Sequence, residues 1–381
     1  MTIWTLHCSV CDYSAPGNRL ASLCATCAQP LMVRFTSPPP PRESLGDAWS
    51  LWRYASALPI ADGEHAVSLG EGLTPLTESP ALAHAVGVRR LWVKDEGQNP
   101  TGSFKARGMT AAVTRAKALG VKGLVVPTAG NAGAALAAYG AAAGMRVRVF
   151  APATTPPPIL GIVRAMGVEL ETVDGHIGDA GKAAVAFARE HDWFNVATVR
   201  EPYRVEGMKT MGFEVAEQLG WRLPDAIVYP TGGGEGTIGI WKAINEMIAW
   251  GWLPASTKRP RLIIAQAAGC APLVRAFNAK EEKAVPWENP LTYAAGLRVP
   301  GPLGDRLTLR ALRESAGAAA TATDEEMRTA ATRLAAATGI DAAPEGGCAL
   351  HVTEALVQLG ELDANSEVVV FNTGSGASYR W

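Results

Sequence analysis

From about residue 91 onward, short apolar runs alternate with longer, Ala-rich amphipathic stretches. Leu91–Val93, Gly123–Pro127, Arg146–Phe150, Ala226–Tyr229, Leu262–Ala265 and Val368–Phe371 read as strands. Their nearly unbroken apolar character is that of strands covered on both faces. Met109–Leu119, Ala132–Ala143 and Ile238–Ile248 read as the helices between them. Apolar strands alternating with helices predict an α/β class with parallel sheets in a three-layer arrangement.

The first residues break this pattern. Cys8-x-x-Cys11 is followed by Cys24-x-x-Cys27. Two such pairs at this spacing read as the knuckles of a four-thiolate zinc ribbon, with paired disulfides or a ribbon without metal as alternatives. Four thiolates leave no open coordination position, so such a zinc is structural. The proline run Thr36–Arg42 reads as a stiff linker. Expected boundaries are therefore a ribbon-like head at 1–35 and a linker at 36–45. A large domain follows at 46–98 and 206–381, with a small mobile domain at 99–205.

Composition narrows the partners. The chain has 381 residues, 48% hydrophobic, with 35 basic and 36 acidic residues. That length and apolar fraction support a sizeable core. The balanced charge gives no electrostatic reason to expect nucleic acid or an anionic membrane. Met1–His7 lacks the basic and apolar regions of a signal peptide. The Ala132–Ala143 run is too short to span a bilayer. A cytoplasmic location is expected. The histidines (7, 65, 84, 176, 191 and 351) have no metal-ligand spacing, and Cys270 and Cys348 read as packing residues.

The chemistry lies at junctions between elements. In Asn99-Pro100-Thr101-Gly102-Ser103-Phe104-Lys105, a lysine follows a Pro/Gly turn where helix formers begin. The positive end of a helix dipole disfavours an ammonium and so favours the free amine that carbonyl chemistry needs. Pro230-Thr231-Gly232-Gly233-Gly234-Glu235-Gly236 joins a strand to a helix. Such a loop lets backbone N–H groups approach a phosphate, or is simply a close-packed turn. It matches neither the Walker spacing nor the dinucleotide fingerprint, which also needs an acidic ribose-binding residue about 20 positions on. Asn131, in Thr128–Gly133, is either a donor at the sheet mouth or part of a helix cap. Thr373, after the last strand, sits at a strand end or in a terminal turn.

Seven stretches in order carry a resemblance. They are Asn99–Lys105, Ala129–Gly133, Glu201–Thr210, Pro230–Gly236, Gly296–Pro300, Ala343–Gly346 and Asn372–Gly376. Together they resemble the threonine synthase family of fold-type II pyridoxal-phosphate enzymes, in the branch with an N-terminal zinc ribbon. The resemblance implies a tryptophan-synthase-β-like fold. It implies a lyase converting O-phospho-L-homoserine and water to L-threonine and phosphate, on pyridoxal 5'-phosphate held by Lys105 as a Schiff base. Asn131 would bind the ring's phenolic oxygen. Gly232, Gly233, Gly234, the backbone of Glu235 and Gly236 would cradle the phosphate, and Thr373 would face the pyridine nitrogen. Ser103, Thr128 and Arg204 would contact substrate, Arg204 alternatively serving as a structural ion-pair partner. Cys8, Cys11, Cys24 and Cys27 would hold zinc, and a homodimer is expected by analogy. The chain departs from the family at Ala106, where Asp is common, at Thr198-Val199, and at Gly376-Ala377-Ser378-Tyr379, which lacks a basic residue. These departures keep open a serine/threonine-type dehydratase or a β-replacement enzyme, such as a cysteate-forming one.

Overall fold

The structure, a computed structural model, describes residues 3–380. The chain divides into two compact units. The first comprises the head up to Leu73, Asn99–Thr101 and Lys105–Thr210; the second comprises Thr74–Gln98, Gly102–Phe104 and the chain from Met211 on.

In the first unit a four-stranded, all-parallel sheet runs in the order Glu169–Val173, Val147–Pro152, Leu124–Pro127, Phe194–Asn195. The helices Lys105–Ala118 and Asn131–Ala143 belong to this unit. The first helix starts earlier than the apolar pattern predicts, at Lys105 rather than Met109. Gly108 does not stop it: a Cβ there would lie 2.6 Å from Met208 Cε, so the glycine admits a close helix crossing.

The head forms a three-stranded antiparallel sheet, Ser14–Pro16, Trp4–Cys8, Leu31–Phe35. Its Trp4, Leu6, Leu31 and Val33 share one apolar core with Met109 and Val113 of the first helix and with Leu124 and Val149 of the sheet. The head is thus part of this unit rather than separate from it. Residues 46–73, expected in the large domain, are also here. Trp52 Nε1 donates to Thr110 Oγ1 at 2.9 Å, and the Val67 N–H donates to Thr114 Oγ1 at 2.9 Å.

The second unit holds a six-stranded sheet in the order Ala318–Ala322, Arg261–Ala267, Ala226–Pro230, Glu367–Asn372, Arg90–Asp95, Leu76–Glu78. All pairs are parallel except the antiparallel edge strand Leu76–Glu78. Val228 aligns with Ile263 on one side and Val370 on the other. The core joins Leu91, Val93, Val228, Ile263, Val368 and Val370 to Leu350 and Val352 of the helix Pro344–Gln358. The expected α/β class with two parallel sheets is observed. Among the described residues no helix is long and apolar enough to cross a membrane.

Candidate functional site

In the second unit the strand Ala226–Pro230 delivers its chain into the glycine loop and then the helix Glu235–Ala249. Gly234 adopts φ +88°, and a Cβ on it would lie 2.2 Å from Thr308 Oγ1. A Cβ on Gly232 would lie 2.2 Å from the Gly296 carbonyl oxygen. Only glycine fits either position. Gly234 has no side chain with which to cap the helix. The first-turn N–H groups, those of Glu235, Gly236 and Thr237, have no intrahelical acceptor. Such an arrangement suits a phosphate.

The neighbouring parallel strand, Glu367–Asn372, ends at Thr373. Carried past the strand ends, the register sets Thr373 level with Thr231. Asn372 Nδ2 donates to Asp95 Oδ1 at 2.8 Å, fixing the end of this strand against Arg90–Asp95. The segment before Lys105 is tied to the same end. The Phe104 N–H donates to the Thr373 carbonyl at 3.1 Å, and the Ser375 N–H donates to the Gly102 carbonyl at 2.9 Å. Ser103 bridges to Gly374. Its hydroxyl is fully buried and has no hydrogen-bond partner in the protein. The structure therefore brings Ser103 and Thr373 together, with the glycine loop on the adjacent strand.

In the first unit Lys105 opens its helix and is half-buried. Asn131 opens the helix Asn131–Ala143. Thr128, expected to contact substrate, has its hydroxyl hydrogen-bonded within its own loop. Its hydroxyl donates to the Gly130 carbonyl at 2.7 Å and accepts from the N–H groups of Gly130 at 3.0 Å and Gly133 at 3.1 Å. One donor and two acceptor positions exhaust a hydroxyl. Arg204 is wholly buried, and its guanidinium donates to the Val196 carbonyl at 2.7 Å. The Arg204 N–H donates to the Glu201 carboxylate.

The four head cysteines meet, their sulfurs all within 4.8 Å of one another. Cys8 and Cys27 Sγ are 3.4 Å apart, Cys11 and Cys24 Sγ 3.6 Å. Burial opposes ionisation of Cys24. The backbone N–H groups of Cys27 and Thr26 and the neighbouring Cys11 and Cys8 thiols outweigh it and hold Cys24 down at about 6. Cys270 and Cys348 are buried, and burial pushes the Cys270 thiol up to about 11.

Two acidic residues escaped the reading of the sequence as site groups. Glu71 is fully buried in the first unit, accepting from Tyr139 Oη at 2.6 Å and from the Leu69 N–H at 2.8 Å. Burial, and then the Glu71 charge, push the Tyr139 hydroxyl far above its usual range. Glu345, in the second unit, accepts from the Gly296 N–H at 2.9 Å and from the Tyr379 hydroxyl. The available signal was a glutamate flanked by glycine in each case, Gly70-Glu71-Gly72 and Glu345-Gly346.

Residues 67–374 match a family described as pyridoxal-phosphate dependent enzyme. Threonine synthase of Methanosarcina acetivorans is 37% identical over 328 residues, 85% of this chain and 79% of that protein. That of Methanocaldococcus jannaschii is 36% identical over 86% of this chain and 80% of the other. Among solved structures, maize serine racemase superposes with a TM-score of 0.68 at 21% identity, covering 80% of this chain and 88% of that one. The processed form of threonine deaminase isoform 2 from Solanum lycopersicum gives 0.66 at 21% identity, covering 79% of each chain. These two share the fold.

Proposed function

The chain belongs to the pyridoxal-phosphate-dependent enzyme family, and on that premise we propose that it is a threonine synthase, converting O-phospho-L-homoserine and water to L-threonine and phosphate. The observation that carries this reading is the 37% identity to a curated threonine synthase across 85% of the chain.

The second unit supports pyridoxal phosphate directly: uncapped N–H groups at a glycine loop, beside a strand end that carries Thr373. When bound, the cofactor supplies an electron sink that acidifies the hydrogen on the carbon bearing the amino group. Gly232, Gly233, Gly234, Glu235 and Gly236 hold its phosphate through backbone N–H groups. Lys105 Nζ would hold its aldehyde carbon and, as a free amine, would remove and return protons at the substrate carbons. Asn131 would donate to the ring's phenolic oxygen. Thr373 would meet the ring nitrogen with a hydroxyl, which would not enforce a positive charge there. The sink is therefore mild, suited to elimination and replacement more than to transamination. Ser103 contacts substrate, a role supported by its buried, unpartnered hydroxyl. Thr128 and Arg204 would contact substrate as well.

In the head, Cys8, Cys11, Cys24 and Cys27 hold a structural zinc ion in a ribbon, supported by four clustered thiols with no fifth ligand needed. The enzyme works in the cytoplasm as a homodimer on a free amino acid, without nucleic acid or membrane. The balanced charge supports the last point.

One observation favours a second reading, a β-eliminating or β-replacing relative. Ala106 stands where threonine synthases commonly carry Asp. The deciding experiment incubates purified protein with O-phosphohomoserine and follows phosphate and threonine. Release of both, abolished in Lys105→Ala, supports the proposal. Keto acid and ammonia from serine or threonine at a higher kcat/KM would replace it with the dehydratase.

A further inference from the structure

Glu345 lies in the first turn of the helix Pro344–Gln358 and is 5% exposed. Its Oε1 accepts the Gly296 N–H and the Tyr379 hydroxyl. Its Oε2 is buried with no hydrogen-bond partner in the protein. No cation pairs with it among the described residues. A charged carboxylate so placed leaves one oxygen without a donor in an apolar setting, which costs far more than burying the neutral acid.

Its surroundings tie it to both halves of the second unit's candidate site. On one side, Gly296 donates to Glu345 while the Gly296 carbonyl oxygen packs against Gly232 of the glycine loop. On the other, the Ala343 N–H donates to the Gly374 carbonyl at 3.0 Å. Gly346 lies so close to the last strand residue that a Cβ would come within 2.5 Å of Asn372 Oδ1. Gly374 also bridges to Ser103, a second buried residue whose side-chain oxygen has no partner. Two unpartnered polar atoms thus sit on residues joined to the strand end that carries Thr373.

None of the titratable groups around Glu345 pairs with it as a cation. Burial raises the hydroxyls of Tyr379 and Tyr293 and the thiol of Cys348, Tyr293 to about 12. Arg328 stacks over the Tyr293 ring at 4.1 Å, and Asp324 and Glu326 act on Cys348.

We propose that Glu345 is a neutral carboxylic acid whose Oε2 donates its hydrogen to the bound cofactor, adding a side-chain donor to a cradle otherwise made of backbone. The inference rests on the pyridoxal-phosphate reading above. A neutral donor serves the loop better than a carboxylate, because the cofactor phosphate is itself anionic and the loop offers it N–H groups.

The test titrates full-length wild type, Glu345→Ala and Glu345→Gln with pyridoxal 5'-phosphate, recording Kd, visible absorption maximum and thermal midpoint. Glu345→Ala should weaken binding about tenfold or more and move the maximum, the loss of a hydrogen bond to a charged group. Glu345→Gln, neutral and still a donor, should recover most of that loss. If Glu345→Ala binds with the wild-type Kd and spectrum, Glu345 is structural only and the inference fails. If Glu345→Gln is as weak as Glu345→Ala at a wild-type thermal midpoint, a charged carboxylate is required and the inference fails. Should Glu345→Ala unfold early, the comparison of Glu345→Gln with wild type decides alone. A wild type that takes up no cofactor overturns the parent reading as well; uptake with indifferent variants overturns this inference only.

Discussion

The guanidinium of Arg115 lies over the indole of Trp4, 5.1 Å from the ring centroid. Arg115 belongs to the helix that Lys105 opens, and Trp4 to the first strand of the cysteine-rich head. The same guanidinium lies 5.6 Å from the Tyr203 ring centroid and pairs with Glu64. Trp4 is 1% exposed. Deleting a buried tryptophan costs about 3–5 kcal/mol, so Trp4→Ala should lower the thermal midpoint although it lies far in sequence from Lys105. An unchanged midpoint would show that the head contributes nothing to the unit's core.

Zinc in the head should be removable by single substitutions. Cys24→Ser takes away the buried member of the four-sulfur cluster. Metal analysis should find roughly one zinc per chain in wild type and well under half that in the variant, since three thiolates hold zinc more weakly than four. Equal zinc in both would exclude the site.

Gly234→Ala should damage the glycine loop. The position has φ +88°, where a side chain costs about 1–2 kcal/mol, and the new Cβ would collide with Thr308 Oγ1. Pyridoxal 5'-phosphate affinity should fall about tenfold or more, read by equilibrium dialysis. A Gly239→Ala control lies on the same helix, away from the loop. Affinity retained in Gly234→Ala would separate the loop from the cofactor.

Acid should loosen the start of the strand that ends at Thr373. Burial works to raise the Glu367 carboxyl. Hydrogen bonds from Arg222 and from Trp92 at 2.8 Å, with the charges of Arg222 and Arg90, outweigh it and hold the group below the usual value of about 4.3. A carboxyl lowered in the folded state adds stability that is fully present above its unfolded value and is lost as pH falls through the folded one. The thermal midpoint of wild type should therefore drop on acidification below about pH 4.3 more steeply than that of Glu367→Gln. Parallel curves for the two would remove Glu367 from the acid response.

How much of this was legible beforehand follows from what a local pattern encodes. Apolar runs located the strands Ala226–Pro230 and Glu367–Asn372 to within a residue or two, because burial on both faces leaves a continuous apolar signature. The glycine loop was legible because a strand–glycine–helix junction has few uses. Arg204 and Thr128 were harder. Nothing local shows that Arg204 reaches the Val196 carbonyl or that Thr128 reaches the Gly130 and Gly133 backbone, because these partners meet them only once the turns are formed. Residues 46–73 were assigned to the other body because nothing in them signals that Trp52 and Val67 bond to Thr110 and Thr114. Glu345 carries no periodic signal; its meaning lies in Gly296 and Tyr379, far along the chain on either side.

The backbone bonds between Phe104 and Thr373 and between Ser375 and Gly102 join two segments some 270 residues apart. Contacts across such a span close late, after the intervening chain exists and has folded. On the ribosome, the turn that presents Lys105 is therefore made hundreds of residues before the strand that anchors it. A nascent or prematurely ended chain lacking residues 367–375 would leave the Gly102–Phe104 turn unanchored. Translation thus leaves Gly102–Phe104 without its backbone partners until the last strand has been synthesised.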